Sequence, residues 1–243
     1  MTFTILASDP TRGLLAAATA SRSLAVGAGV PALRVGVGAA ASQAYTNRSL
    51  RGLLLDAVAS GASPATAIAR IPDWDSGAAW RQAAVVTADG AVSAHTGDAC
   101  TAWAGSETGE GFVVLGNFLP GRGVLAAMVA AFEGAPDDDG VASERALAGF
   151  SRRVLAALAA GDAAGGDLRG RQSAALLVGV APTAVDPADV DLLPSDPTTP
   201  LGVTAAGDAP LAIDLRADDH ARPIDELARL LDLALDERRA AER

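Results

Sequence analysis

Thr2-Phe3-Thr4-Ile5-Leu6-Ala7-Ser8 at the start of the chain decides how the rest is read. It has the β-branched and apolar content of a strand, and Gly13-Leu14-Leu15-Ala16-Ala17-Ala18-Thr19-Ala20-Ser21-Arg22 follows as its return strand. Asp9-Pro10-Thr11-Arg12-Gly13 between them is rich in turn formers. A strand that opens on threonine suggests a chemistry. If Met1 is removed, Thr2 carries a hydroxyl nucleophile and an α-amine that titrates at about 7.7–8.0, a free base near neutrality. If Met1 stays, the Thr2 nitrogen is an amide without useful basicity. The plainer reading is that Thr2 is the β-favouring first residue of a strand.

The composition narrows the alternatives. The chain has 243 residues, half of them hydrophobic, with 4 % aromatics, which predicts a sizeable core packed from small side chains. No basic leader precedes an apolar run and no stretch nears the roughly 20 apolar residues of a membrane span, so a soluble cytoplasmic protein with no membrane partner is expected. The net charge of −10 disfavours nucleic acid. All 19 basic residues are arginine. The lack of lysine removes Schiff-base chemistry and a lysine base, while arginine remains available to fork a carboxylate. One cysteine, Cys100, excludes an internal disulfide, and with only His95 and His220 a metal site is not expected. No cofactor is implied.

Further along, Arg34 to Ala44 reads as one buried strand. Asn47 or Ser49 caps a helix over about 50–60, and Ser63-Pro64 starts another that stops before Pro72. Ala83–Thr87 and Val92–His95 flank an Asp-Gly turn, a hairpin signal. Gly111–Asn117 is a strand, followed by helices over about 122–133 and 141–160 around the acidic loop Asp137–Gly140. Arg171–Val180 is a strand, 181–209 a Pro/Asp/Thr-rich surface excursion, and Leu211–Arg216 a half-exposed strand. A closing helix from about Pro223 to Leu235 sets Ile224, Leu227, Leu230, Leu231 and Ala234 on one face. Helices come in pairs rather than after every strand. That order predicts an α+β, four-layer αββα sandwich of two mainly antiparallel sheets covered by helices, as a single domain over 1–243.

The first hairpin resembles the opening of N-terminal nucleophile hydrolases, the superfamily of proteasome β subunits and several amidases. More closely, the chain resembles the DUF1028 family, placed in that superfamily. The resemblance is carried by Thr2-Phe3-Thr4-Ile5, by Ala20 to Gly27, by Ser42 to Asn47, and by Arg81-Gln82. It continues through His95-Thr96-Gly97 with Cys100, Trp103, Ala104 and Gly105, Gly109-Glu110-Gly111, Gly116-Asn117, Gly165 to Ala174, Asp214-Leu215-Arg216 and Asp218-Asp219-His220. It implies the αββα sandwich and an amide-type hydrolase, without naming a substrate. The lysine near the proteasome nucleophile has no counterpart in this chain.

Around Thr2 the candidates sort by chemistry. Arg22 follows the return strand and would lower the amine pKa or bind a substrate anion, or else form a salt bridge; Ser21 beside it would orient the amine. Ser42, Gln43, Thr46 and Asn47 end a Gly/Ala strand and suit hydrogen bonds to an amide substrate, Asn47 being equally a helix cap. Arg169, Arg171 and Gln172 leave a glycine-rich turn and would clamp a carboxylate, unless Asp167 makes the cluster structural. Gly116-Asn117 offers a backbone N–H and a side-chain amide for an oxyanion. His95 and Cys100 are the rival pair, a Cys–His dyad if Thr96 to Ala99 folds them together; a buried cysteine is otherwise core. Asp219-His220 reads as a structural pair. The expectation is a hydrolase of small amide or other C–N bonds acting through an acyl-Thr intermediate on an anionic small molecule, with Thr2, Arg22 and Asn117 as its catalytic residues. The alternatives are a non-catalytic binding protein of the same fold and a Cys100/His95-dependent hydrolase. The flat helical faces of the sandwich would also allow a homodimer.

Overall fold

The computed structural model describes residues 2–135, 143–181 and 210–241. The chain opens with β1 (Thr2–Asp9) and β2 (Leu14–Ser21), paired antiparallel with Phe3 opposite Ala20 and Asp9 opposite Leu14. The turn between them closes on Asp9, whose Oδ1 accepts from the Thr11 and Arg12 amides at 3.0 and 3.2 Å. Then come α1 (Val26–Gly29), β3 (Pro31–Arg34), β4 (Gly38–Ala44), α2 (Arg48–Ala59), α3 (Pro64–Ala69) and α4 (Ile71–Trp74). Asn47 caps α2 by accepting from the Ser49 amide, and Ser63 caps α3 by accepting from the Thr66 amide, as the sequence signals require.

The middle of the chain holds β5 (Arg81–Thr87), β6 (Val92–Thr96), β7 (Gly105–Gly109), β8 (Phe112–Asn117), α5 (Gly123–Gly134) and α6 (Ser143–Ala163). It closes with β9 (Ser173–Val180), β10 (Ile213–Ala217) and α7 (Pro223–Ala241). The strands form a six-stranded sheet in the order β10-β9-β2-β1-β8-β7 and a four-stranded sheet in the order β3-β4-β5-β6, every described pairing being antiparallel.

Strand alternation then sorts the side chains into three cores. On β1 and β2, Phe3, Ile5, Ala7, Ala16 and Ala18 meet the helical layer of α5, α6 and α7 through Leu125, Met128, Val154, Leu158 and Leu227. Leu6, Leu15 and Ala17 point the other way, onto Ala39, Ala41, Ala84 and Val86 of the small sheet. The outer face of that sheet, Ala40, Ala83 and Val85, is covered by Leu50, Leu54, Ala67 and Ile68 of α2 and α3. Helix, sheet, sheet, helix is the expected four-layer sandwich. The alanines let its layers approach closely.

Several local expectations need correction. Arg34 to Ala44 is two strands: Arg34 ends β3 opposite Gly38 at the head of β4, and Gly36, at φ +74°, supplies the left-handed residue of the turn between them. The small-residue connection before it contains α1, and β7 is an additional strand paired with β8. Helical backbone resumes across Pro72 as α4, with the proline in its first turn, where no amide hydrogen is needed. The closing helix runs on to Ala241, burying Ile224, Leu227, Leu231 and Leu235, with Leu230 and Ala234 half-buried. The Asp137–Gly140 loop and residues 182–209 of the excursion lie outside the described residues. Among the described residues no helix is long and apolar enough to cross a membrane.

Candidate functional site

The space between the sheets changes character at the N-terminal end of β1. Alternation places Thr2 and Thr4 on the face of Leu6, Thr19 and Ser21 on the face of Ala17, and Asn117 on the face of Leu115. Gln43 and Gln82 rise toward them from the inward faces of β4 and β5, where they are cross-strand partners. All seven side chains are buried. A buried polar group without a partner costs on the order of 1–3 kcal/mol, so their bonds decide whether the cluster is tolerated.

Those bonds form one network. Thr2 Oγ1 donates to Ser21 Oγ at 3.2 Å. Thr4 Oγ1 donates to Gln43 Oε1 at 2.6 Å and lies 2.8 Å from Thr19 Oγ1. Gln43 Nε2 donates to the Thr2 carbonyl at 3.3 Å and to Gln82 Oε1 at 2.8 Å. Gln82 Oε1 also accepts from Asn117 Nδ2 at 3.1 Å, while Gln82 Nε2 reaches the Gly116 carbonyl at 2.8 Å. Asn117 is the direct cross-strand partner of Thr2. Gln82 thus ties the floor of the site to both sheets, a role that a glutamine following Arg81 at the head of a mostly apolar strand does not announce.

Beside this cluster lies a cleft of about 260 Å³ lined by Ala44, Tyr45, Thr101, Asn117, Phe118 and Arg169. Two of its walls are non-glycine residues in the left-handed region, Ala44 at φ 68° and Phe118 at φ 57°. Such conformations cost on the order of 1–3 kcal/mol and gather at functional sites. They turn the chain out of the sheets just where β4 and β8 end, and so open the cleft.

The expected residues divide sharply. Thr2, Ser21, Gln43 and Asn117 come together, and Arg169 borders the cleft. Arg169 is held there by Asp167, whose carboxylate accepts from the Arg169 guanidinium at 3.1 Å and from the Arg22 and Arg169 amides at 2.7 and 2.8 Å. Asp167 is therefore the organiser of this turn. Arg22 itself is exposed, its Nη1 donating to Gln172 Oε1 at 2.6 Å. Gln172 in turn donates to Asp219 at 3.2 Å, and His220 Nδ1 accepts from the Arg222 amide. Arg171 points into a different recess, paired with Asp162 at 2.7 Å.

Ser42 sits on the opposite face of β4 from Gln43, toward α2 and α3, its buried hydroxyl without a hydrogen-bond partner among the described residues. Thr46 is exposed, and Asn47 is occupied as the cap of α2 and as a donor to Asp75 at 2.7 Å. Hydrogen bonds from Arg81 and Asn47 hold the Asp75 carboxyl down at about 2. His95 and Cys100 engage separate backbone carbonyls: His95 Nε2 lies 2.9 Å from the Ala78 oxygen, and Cys100 Sγ donates to the Arg81 oxygen. Burial pushes the Cys100 thiol up from its ordinary value, away from a thiolate. Among the described residues no group of His, Cys, Asp and Glu is placed to hold a metal.

Comparison with known proteins agrees with this architecture. A family model described as "Family of unknown function (DUF1028)" matches residues 2–227. No curated protein matches the chain. Five chains of solved structures match. One is the crystal structure of protein SPO2555 from Silicibacter pomeroyi, of the same family model, 33 % identical, with a TM-score of 0.75 over 96 % of this chain and 85 % of that one.

Proposed function

The chain belongs to the DUF1028 family, whose function is unknown, and we propose that it is a hydrolase of small amide or other C–N bonds using Thr2 as an N-terminal nucleophile. The observation that carries this reading is the place of Thr2: first residue of a central strand, hydroxyl bonded to Ser21, directly opposite Asn117 at the edge of the cleft. A nucleophile at the head of a central strand in an αββα sandwich also supports membership of the N-terminal nucleophile hydrolase superfamily.

With Met1 removed, the Thr2 α-amine takes the proton of Oγ1 as the oxygen attacks the substrate carbonyl carbon. The carbonyl π electrons move to oxygen, and the oxyanion is met by Asn117 Nδ2, one of whose two hydrogens is committed to Gln82. Collapse of the tetrahedral adduct breaks the C–N bond, and the ammonium returns its proton to the leaving nitrogen. Water then hydrolyses the acyl-Thr ester by the same base. Ser21 orients Thr2, and Arg22 adds positive potential that favours the free amine. Arg169 at the cleft supports a substrate bearing a carboxylate.

One observation favours a non-catalytic binding protein instead: Thr2 is only 6 % exposed, with a neighbouring hydroxyl in place of a second base. The intact mass of untagged protein separates the two readings. A mass short by one methionine, followed by turnover of a small amide that Thr2→Ala abolishes, is the expected result. Retained Met1, or turnover unaffected by Thr2→Ala, overturns the nucleophile.

A further inference from the structure

A second, larger recess opens at the side of the sandwich, where β3 of the small sheet faces β9 and β10 of the large one. It encloses about 770 Å³, within the roughly 300–1,000 Å³ of small-molecule sites, and shares no lining residue with the Thr2 cleft. Four arginines line it: Arg34, Arg48, Arg51 and Arg216. In a chain of net charge −10 this concentration runs against the overall field. Arg34 pairs with Asp56 and Arg216 with Asp214. Among the described residues, Arg48 and Arg51 form no ion pair.

Among the described residues, the placement of those two is electrostatically unfavourable. Both stand at the start of α2, which has no acidic residue in its first turn, so their charges add to the positive end of the helix. Arg51 is fixed rather than free to turn to solvent: Nη1 donates to the Pro31 carbonyl at 2.6 Å and Nη2 to the Ala28 carbonyl at 3.0 Å. Burial, with Arg48 and Arg216 close by, lowers the affinity of Arg51 for its proton from the ordinary value. Between the guanidinium groups the walls are apolar, from Pro31, Leu33, Leu55 and Leu211.

We propose that this recess is a binding site, separate from the Thr2 cleft, for a small organic molecule whose head carries two or more negative charges on phosphate or carboxylate oxygens. Guanidinium forks match either oxyanion, and two arginines without an ion pair among the described residues call for more than one negative charge. The apolar walls and the volume call for an organic body behind the head. The site does not depend on the hydrolase reading.

Calorimetric titration of the full chain at low salt with ADP, citrate and pyrophosphate tests it. ADP or citrate binds at one site per chain, more tightly than bare pyrophosphate, and which of the two binds identifies the head group. Arg48→Glu weakens that binding by about tenfold or more, while Arg229→Glu, on the distant α7, leaves it unchanged. Should Arg48→Glu fail to fold, Arg48→Ala gives the same comparison. No binding of any probe at millimolar concentration overturns the site, as does an equal loss in the Arg48 and Arg229 variants. Binding lost in Thr2→Ala but kept in Arg48→Glu assigns the anion to the Thr2 cleft, and also overturns it.

Discussion

The space between the two sheets has two halves built by the same strands. In one, Leu6, Leu15, Ala17 and Leu115 meet Ala39, Ala41, Ala84 and Val86. In the other, one or two pleats along, Thr2, Thr4, Thr19, Ser21 and Asn117 meet Gln43 and Gln82. The first half is what sheet packing by itself asks for: apolar area removed from water, at about 25 cal/mol per Å². The second gives up that gain and has to be repaired bond by bond through two glutamine amides. Nothing in the fold demands the exchange, since apolar residues would close the sandwich at both ends. The difference marks the polar half as the place where this chain gives up packing energy, and it is there that the proposed chemistry is placed.

That comparison can be broken in several ways. The largest expected effect is on turnover: Thr2→Ala removes about 10³-fold or more of the activity on whichever small amide is found to be a substrate, with the melting temperature nearly unchanged. Next are paired stability variants. Leu115→Ala in the apolar half costs about 2–5 kcal/mol in urea unfolding, while turnover by the folded fraction is retained. Gln82→Leu in the polar half strands the Gln43 and Asn117 amides and the Gly116 carbonyl, costing about 3 kcal/mol or more, and lowers turnover as well. Should Leu115→Ala and Gln82→Leu affect turnover alike, the two halves do not differ in function.

A smaller effect comes from Asp75, beside the polar end, whose carboxyl is held at about 2 by Arg81 and Asn47 against about 3.9 for an unfolded aspartate. Its contribution to stability is complete above about pH 4 and is lost as the pH falls toward 2. Unfolding free energy measured across that window should fall more steeply with falling pH for the wild type than for Asp75→Asn. The smallest expected effect is that of Cys100→Ser, under about 1 kcal/mol and without change in turnover, because the thiol sits high and bonds a carbonyl. Loss of activity there would revive the Cys–His reading.

Much of the architecture was legible because turn chemistry is local. The Asp9–Gly13 and Asp89-Gly90 turns, the Asn47 and Ser63 caps and the amphipathic stripe from Ile224 onward each announce themselves within a few residues. Failures fell where the signal was short or mixed. A glycine inside an apolar run hid the turn at Gly36, and the half-exposed Gly105–Gly109 lacks the β-branched content of a strand. For the candidate site, the strand ends point to Thr2, Gln43 and Asn117, and the fold brings these three side chains together. Gln82 is not signalled as a site residue because its importance lies in contacts with β4 of its own sheet and β8 of the other, which no single stretch encodes. Ser42 and Arg171 were drawn in by adjacency in sequence, whereas one step along a strand reverses the face, and Arg171 finds a carboxylate of its own.

The absence of lysine has a practical sequel at Thr2. Once Met1 is gone, the chain holds a single aliphatic amine, and it belongs to the residue proposed as base and nucleophile. An amine-selective acylating reagent would therefore count active centres directly, one amine adduct per molecule by mass, with no lysine background. Its reaction rate as a function of pH would report the ionisation of that amine in the folded protein, before any substrate is known.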